Sequence, residues 1–294
     1  MFFEAIMVKI HALLAAFLVS AAPAAHADPT LDPQRPLCHL RDSRITESSG
    51  VAVGPDVLWT HNDSGDTARF FALDRHCNTL ATYDVTDETA TDWEDMARGA
   101  GYLWLGDIGD NAGTRSSIAV VRVPDLAVSK GSHHLTGAVF RFAYEDGPHD
   151  AETLLVHPRT GQLYVVTKSY YGLAGVYAAP LHPLEGKVNT LTKVVSVTTR
   201  LTGTSGGPIG PPGELSVTAG DINAAATRVV LRTYTDAYEW TVAGGDVAKA
   251  LSGTPTVTAL PRTDQGEAIA YDTDGRSWIT TSEGKGAPVD RIAR

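Results

Sequence analysis

Basic clusters, helical periodicity and cysteine are what this 294-residue chain is short of, and each shortage removes a class of function. Lys and Arg number 24 against 34 Asp and Glu, a net charge of −10, and they form no run. Nucleic acids and anionic membrane surfaces need such runs, so neither is an expected partner. With two cysteines, no C-x-x-C and no His/Cys set at zinc spacing, soft-metal and dithiol chemistry are also disfavoured. No long stretch repeats apolar residues at helical spacing; Asp246–Leu251 offers a turn or two at most.

The first residues read as a targeting signal. Lys9 precedes the apolar run ALLAAFLVSAAPAA, and Ala25-His26-Ala27 is an A-x-A cleavage site. The run is too short for a spanning helix and Pro23 interrupts it, so no membrane insertion is expected. The expectation is a secreted protein cleaved after Ala27, with residues 28–294 as one domain. Removing residues 1–27 takes away one Glu and one Lys and leaves the charge at −10. Export into an oxidising space predicts a Cys38–Cys77 disulfide.

What the chain does have is a repeat. Five times an acidic residue opens a short apolar run that leads across a turn into a second apolar strand. The segments are Glu47 in ESSGVAV, Glu94 in EDMARGAG, Glu152 in ETLLVHPRTG, Asp221 in TAGDINAAATR and Glu267 in EAIAYDTDGR. They stand about 46 to 69 residues apart, with several short strands in each interval. That period predicts an all-β fold, a single β-propeller of five four-stranded blades. The last blade has only three strands of its own, so residues 36–46 are expected to supply the fourth and close the ring. The alternative is six blades, with the extra one in the longest interval, although GTSGGPIGPPG (203–213) reads as a Gly/Pro loop.

In a propeller the starts of the inner strands and the ends of the second strands share one face. Glu47, Glu94, Glu152, Asp221 and Glu267 would therefore surround the axis. Polar second-strand ends would join them: Asn62 and Asp63, Asp107 and Asp110, Lys168, Arg232 and Glu283. Like charges gather at a cost that a cation relieves, and an oxygen-rich set suits a hard divalent cation, calcium foremost. Lys168 and Arg232 would hold an anionic group of a small polar ligand. Glu94 or His149 would be the base of a metal-dependent hydrolase of phosphoester, ester or lactone bonds. The competing reading has these carboxylates capping backbone N–H groups of neighbouring blades in a non-catalytic binding or scaffold propeller. A carbohydrate-active propeller with an acid and base carboxylate pair is a third. Ser205 sits in G-x-S-x-G, but loop surroundings argue against a nucleophile elbow. His133-His134 is expected in a turn, and the four Trp of second and third strands between blades. The partner would be a small polar molecule or another protein, and the chain a monomer.

ESSGVAV with HNDSGDTARFFALD, VTAGDINAAATRVVLRTYTDAYEW, and QGEAIAYDTDGRSWITTSEG together resemble secreted bacterial propellers of the phytase-like and TolB-like families. That resemblance implies calcium dependence, phosphoester or ester cleavage, and axial metal ligands at Glu47, Glu94, Glu152, Asp221 and Glu267. With only Lys168 and Arg232 as funnel cations, phytic acid itself is a poor fit.

Overall fold

Runs of Val, Leu, Ile, Thr and aromatic residues, set between Gly, Asp, Asn and Pro, favour short strands over helices. The computed structural model bears this out. It describes residues 36–294 apart from Asp87 and Leu126, so the expected signal peptide, 1–27, lies outside the described residues. In chain order the first strands are β1 (Cys38–His39), β2 (Ser48–Val53), β3 (Leu58–Asn62), β4 (Arg69–Leu73) and β5 (Thr79–Thr86). Next come β6 (Trp93–Gly99), β7 (Tyr102–Asp107), β8 (Ile118–Pro124), β9 (Gly131–Thr136) and β10 (Ala138–Tyr144). They are followed by β11 (Ala151–Val156), β12 (Leu163–Thr167), β13 (Leu173–Ala178) and β14 (Val188–Thr198). After the short helix α1 (Pro211–Leu215) run β15 (Val217–Ile222), β16 (Arg228–Thr233) and β17 (Asp236–Thr241). Helix α2 (Val247–Leu251) then precedes β18 (Thr256–Ala259), β19 (Gly266–Tyr271), β20 (Ser277–Ser282) and β21 (Pro288–Ala293).

Hydrogen bonding gathers these into four-stranded antiparallel units: β2–β5, then β6, β7, β8 and β10, then β11–β14, then β15–β18. The final unit is β19–β21 completed by β1, with Cys38 opposite Val289 and His39 opposite Pro288. The inner strands β2, β6, β11, β15 and β19 neighbour one another in that order, and β19 returns to β2. The fold is an all-β propeller. The first and last described strands meet in one sheet, which covers part of the outer edge of β21. Between β14 and β15 there is loop and α1 but no strand.

Two outer edges hold a feature the sequence reading missed. His133 and His134 lie in strand β9 rather than in a turn. The strand runs parallel to β5 and extends the first unit, although the chain on either side belongs to the second. Strand β10 in turn pairs in parallel with β14, joining the outer edges of the second and third units.

Apolar residues on both faces of the inner and middle strands fill the seams between units. Trp59 packs between the first and second units, Trp104 between the second and third, and Trp240 between the third and fourth. Trp278 lies between the fourth and fifth. The last seam, between fifth and first, has no Trp; Phe71, Ile45 and the Cys38–Cys77 bridge occupy it. No helix among the described residues is long and apolar enough to cross a membrane.

The bridge closes a loop 39 residues apart in sequence and ties β1 to the first unit. In the chain-entropy account this restriction is worth about 3–4 kcal/mol. Replacing both cysteines with serine should lower the unfolding free energy measured in urea by a matching amount without changing the dichroism spectrum. A loss below about 1 kcal/mol would mean that strand pairing alone closes the ring.

Candidate metal centre and active site

Every inner strand carries an irregularity at the same place. The pairing steps from Ser48 to Gly50, Trp93 to Asp95, Ala151 to Thr153, Val217 to Ala219 and Gly266 to Ala268, while the partner strand advances by one residue. Such a β-bulge leaves one residue unpaired and re-aims its side chain. The five extra residues are Ser49, Glu94, Glu152, Thr218 and Glu267. This column, rather than the one expected from the sequence, is the structural repeat.

Its members divide by chemistry. The Ser49 hydroxyl donates to the Glu94 carbonyl at 2.6 Å, and the Thr218 hydroxyl to the Glu267 carbonyl at 3.0 Å. These two stitch their unit to the next. Glu94, Glu152 and Glu267 are instead carboxylates buried to a few per cent exposure. Burial pushes the pKa of each upward. Glu152 reinforces this on Glu94, and Glu267 on Glu152. Oε2 of Glu267 is buried with no hydrogen-bond partner.

Loops bring further acids to the same mouth. Oxygen atoms of Asp63, Asp92 and Glu94 lie within 4.8 Å of one another. Burial and the charge of Asp63 raise Asp92 to about 6, and burial raises Asp63 too. Glu283 is pushed up to about 8 by burial, then by Glu267 and Asp63. Against these stands Lys168, whose ammonium is bonded to Glu152 and lies 5.5 Å from the Tyr234 ring centroid. Burial pulls its pKa down, but Glu152 and Tyr234 more than reverse this. Tyr234 is raised by burial and by Glu267.

The three-carboxylate cluster depends on a glycine. Ile108 and Gly109 donate backbone N–H groups to the Asp92 carbonyl, folding the loop over that residue. A Cβ on Gly109 would overlap the carboxylates of both Glu94 and Asp92. Asp107 and Asp110 build this loop and do not face the cluster. Asp107 Oδ1 accepts from Asp92 N and Arg115 Nη1, each at 2.9 Å, and Asp110 caps Thr114 N and Arg115 N. Asn62 holds the Thr46 and Glu47 N–H groups through its Oδ1.

Other expected site residues lie elsewhere. Glu47 is exposed at the mouth, bridged through backbone to Glu283. It is not in the bulge column, where Ser49 stands. Asp221 lies near the far end of β15, beside Asn223 and Asp272 in a cavity of about 470 Å³ on the opposite side. Its Oδ2 accepts Tyr271 N at 2.8 Å, so it caps the neighbouring unit. Arg232 is fully buried in the fourth seam and donates to the carbonyls of Thr233, Tyr234, Ala268 and Thr281. Burial pushes it down to about 10. His149 turns outward, its Nε2 at 2.8 Å from Asp146 and 2.9 Å from the Tyr177 hydroxyl.

Asp92 was missed in the sequence because it lies in the connection before β6, where TATD reads as turn. Aligning the repeats on their second strands, which end in HND, LGD, VTK, RTY and TTSE, would have put Ser49 and Thr218 in the acidic column. Asp95, expected from the sequence to join the acidic funnel, is instead fully buried and crosses the axis. Its Oδ2 accepts Leu154 N of β11 at 3.0 Å and Gly220 N of β15 at 3.4 Å.

No protein-family model and no curated protein matches the chain. Solved structures do. The PQQ-bound aldose sugar dehydrogenase of Streptomyces coelicolor is 11% identical, with a TM-score of 0.44 over 87% of this chain and 97% of that one. A gluconolactonase from Xanthomonas campestris is 10% identical, with a TM-score of 0.46 over 90% and 96%. The WD40 repeats of RRP9 are 11% identical, with a TM-score of 0.42 over 84% and 80%. These likenesses carry no ligand or reaction over to this chain.

The raised carboxylates fix a pH dependence. A group whose pKa is higher folded than unfolded adds stability below its unfolded value, and that stability is lost as pH rises through the folded value. Chelator-treated protein should therefore lose stability in urea as pH goes from about 4.5 towards 8. Glu94→Gln should flatten the slope. A wild-type slope that is level or rising over this window would contradict the assigned shifts.

Proposed function

We propose that the acidic mouth holds a divalent cation, calcium foremost, and that the protein is an exported hydrolase of phosphoester, ester or lactone bonds in a small ligand with a polar head. One observation carries the reading: the Asp63, Asp92 and Glu94 oxygens converge within 4.8 Å, beneath a glycine that leaves them room. Three desolvated like charges at that separation repel unless protonated or bridged by a cation. The donor set fits a hard cation, since all its atoms are carboxylate oxygens. The nearby lysine is already paired with Glu152.

A calcium ion bound there supplies Lewis acidity to a phosphoryl or carbonyl oxygen. The chain's own groups do the rest. Glu267 Oε2, buried and without a partner, receives the proton of the attacking water. Lys168, held by Glu152, orients the anionic part of the ligand, and the Tyr234 phenol beside it donates to a developing oxyanion. His149 takes no part, because its ring nitrogen is engaged by Asp146 and Tyr177.

The scaffold reading accounts for Asp95 and Asp221, whose oxygens accept backbone N–H groups of other units. It does not account for Glu267 Oε2, which accepts none. Purified protein should contain calcium, and chelator should lower its melting temperature by several degrees, restored on adding calcium. Asp92→Asn should abolish that shift. Glu267→Gln should keep the shift while lowering kcat on the best member of an ester, lactone and phosphoester panel by about 100-fold. Absence of bound ion together with indifference to chelator would favour a non-catalytic propeller.

A further inference from the structure

Beside Lys168 the mouth changes character. Tyr170, Tyr171, Leu173, Leu201 and Ile209 are between 44% and 94% exposed, and all belong to the third unit or to the loop leading to α1. Single exposed apolar residues need no explanation, but a contiguous group does. Contiguity is given by the backbone. Thr199 N donates to Gly172 O at 3.0 Å, pinning the 170–172 turn against the 199–210 loop, with Leu173 and Leu201 flanking the contact. Gly172 has φ of +75°, and a Cβ there would come within 2.8 Å of Thr199 O. The turn is thus held in one close-packed position.

This lip joins the acidic mouth directly. The Tyr170 ring centroid is 5.8 Å from Lys168 Nζ, and Tyr234 lies 5.5 Å away on the same ammonium. Gly213 separates Tyr234 from Ile209: a Cβ on it would be 3.3 Å from the Tyr234 ring and 3.5 Å from Ile209 Cγ1. A path of aromatic and aliphatic surface therefore leads from the lysine outward on one side. Elsewhere the rim is polar or acidic, with Ser64, Glu47 and Gly284 exposed.

We infer that Tyr170, Ile209 and their neighbours form a subsite for an apolar arm of the substrate, which is an ester or phosphoester amphiphile. Its polar head enters the acidic mouth and its chain lies on the lip. The inference rests on the hydrolase reading for the head and on the lip alone for the arm. Burying a methylene fully favours binding by about fourfold, and half-burying it by about twofold.

The test is calorimetric titration of the calcium-loaded protein with ethyl-, hexyl- and decylphosphonate below their micelle concentrations. Affinity should tighten about two- to fourfold per added methylene. In the Tyr170→Ser/Ile209→Ser double variant the dependence on chain length should flatten while ethylphosphonate binds as before. Both positions are exposed, and an unchanged melting temperature verifies the fold. A flat series in the wild type, or a slope that survives in the double variant, would overturn the subsite. So would binding to phosphatidylcholine vesicles that the variant loses, which would assign the lip to a membrane surface. Calcium dependence of binding reports the cation reading. If decylphosphonate binds through Tyr170 and Ile209 as tightly after chelation as with calcium, the lip stands and the calcium centre falls.

Discussion

Closing a circle out of sheets is the constraint on which everything else in this molecule depends. Each unit must bury both faces against neighbours, so no seam can be left underfilled, and the first and last strands must find one another. Tryptophans fill four seams from the second or third strand of a unit. The fifth, where the first and last described strands meet, relies on Phe71, Ile45 and the cystine. Apolar filling is non-directional, however, and cannot by itself set how far each unit advances along the axis. Polar stitches do that: Ser49 to the Glu94 carbonyl, Asp95 to Leu154, Thr218 to the Glu267 carbonyl, and Arg232 to Ala268 and Thr281.

The same device that sets the register creates the mouth. A bulge at the second residue of each inner strand gives every unit one side chain free of the ladder. Where that residue is a small alcohol it is consumed in stitching. Where it is glutamate, the longer side chain brings a carboxylate into a space already lined by others. Desolvation and mutual repulsion then act together, and one ammonium, that of Lys168, offsets only part of the charge. The arrangement is stable as protein and incomplete as electrostatics.

The architecture was legible because strand length, turn residues and the recurring acid are local signals. The N-terminal strand was legible as well, since a last unit with three strands leaves one position open. Register was not. Glu47 and Ser49 are two residues apart, and only pairing with β3 decides which is the unpaired one. Asp221 lies three residues beyond Thr218, and that distance carries it towards the other end of the strand. Arg232 and Lys168 lie near the ends of equivalent strands and look alike in sequence. Their places differ by two positions: Arg232 precedes Thr233 and pairs with Ala219 inside the seam, while Lys168 follows Thr167, the equivalent of Thr233, into the mouth. Only strand pairing fixes such an offset, and no compositional signal reports it.

Asp95 links β6 to β15, strands that are not neighbours around the circle, through a carboxylate lying across the axis. Asp95 is fully buried, so protein atoms fill the middle of the fold at this level. The mouth is a cup with a floor, separate from the cavity beside Asp221. On the proposed hydrolase reading, a spent molecule has to leave this cup by the way it came before the next can arrive. Slow departure would show as inhibition by product.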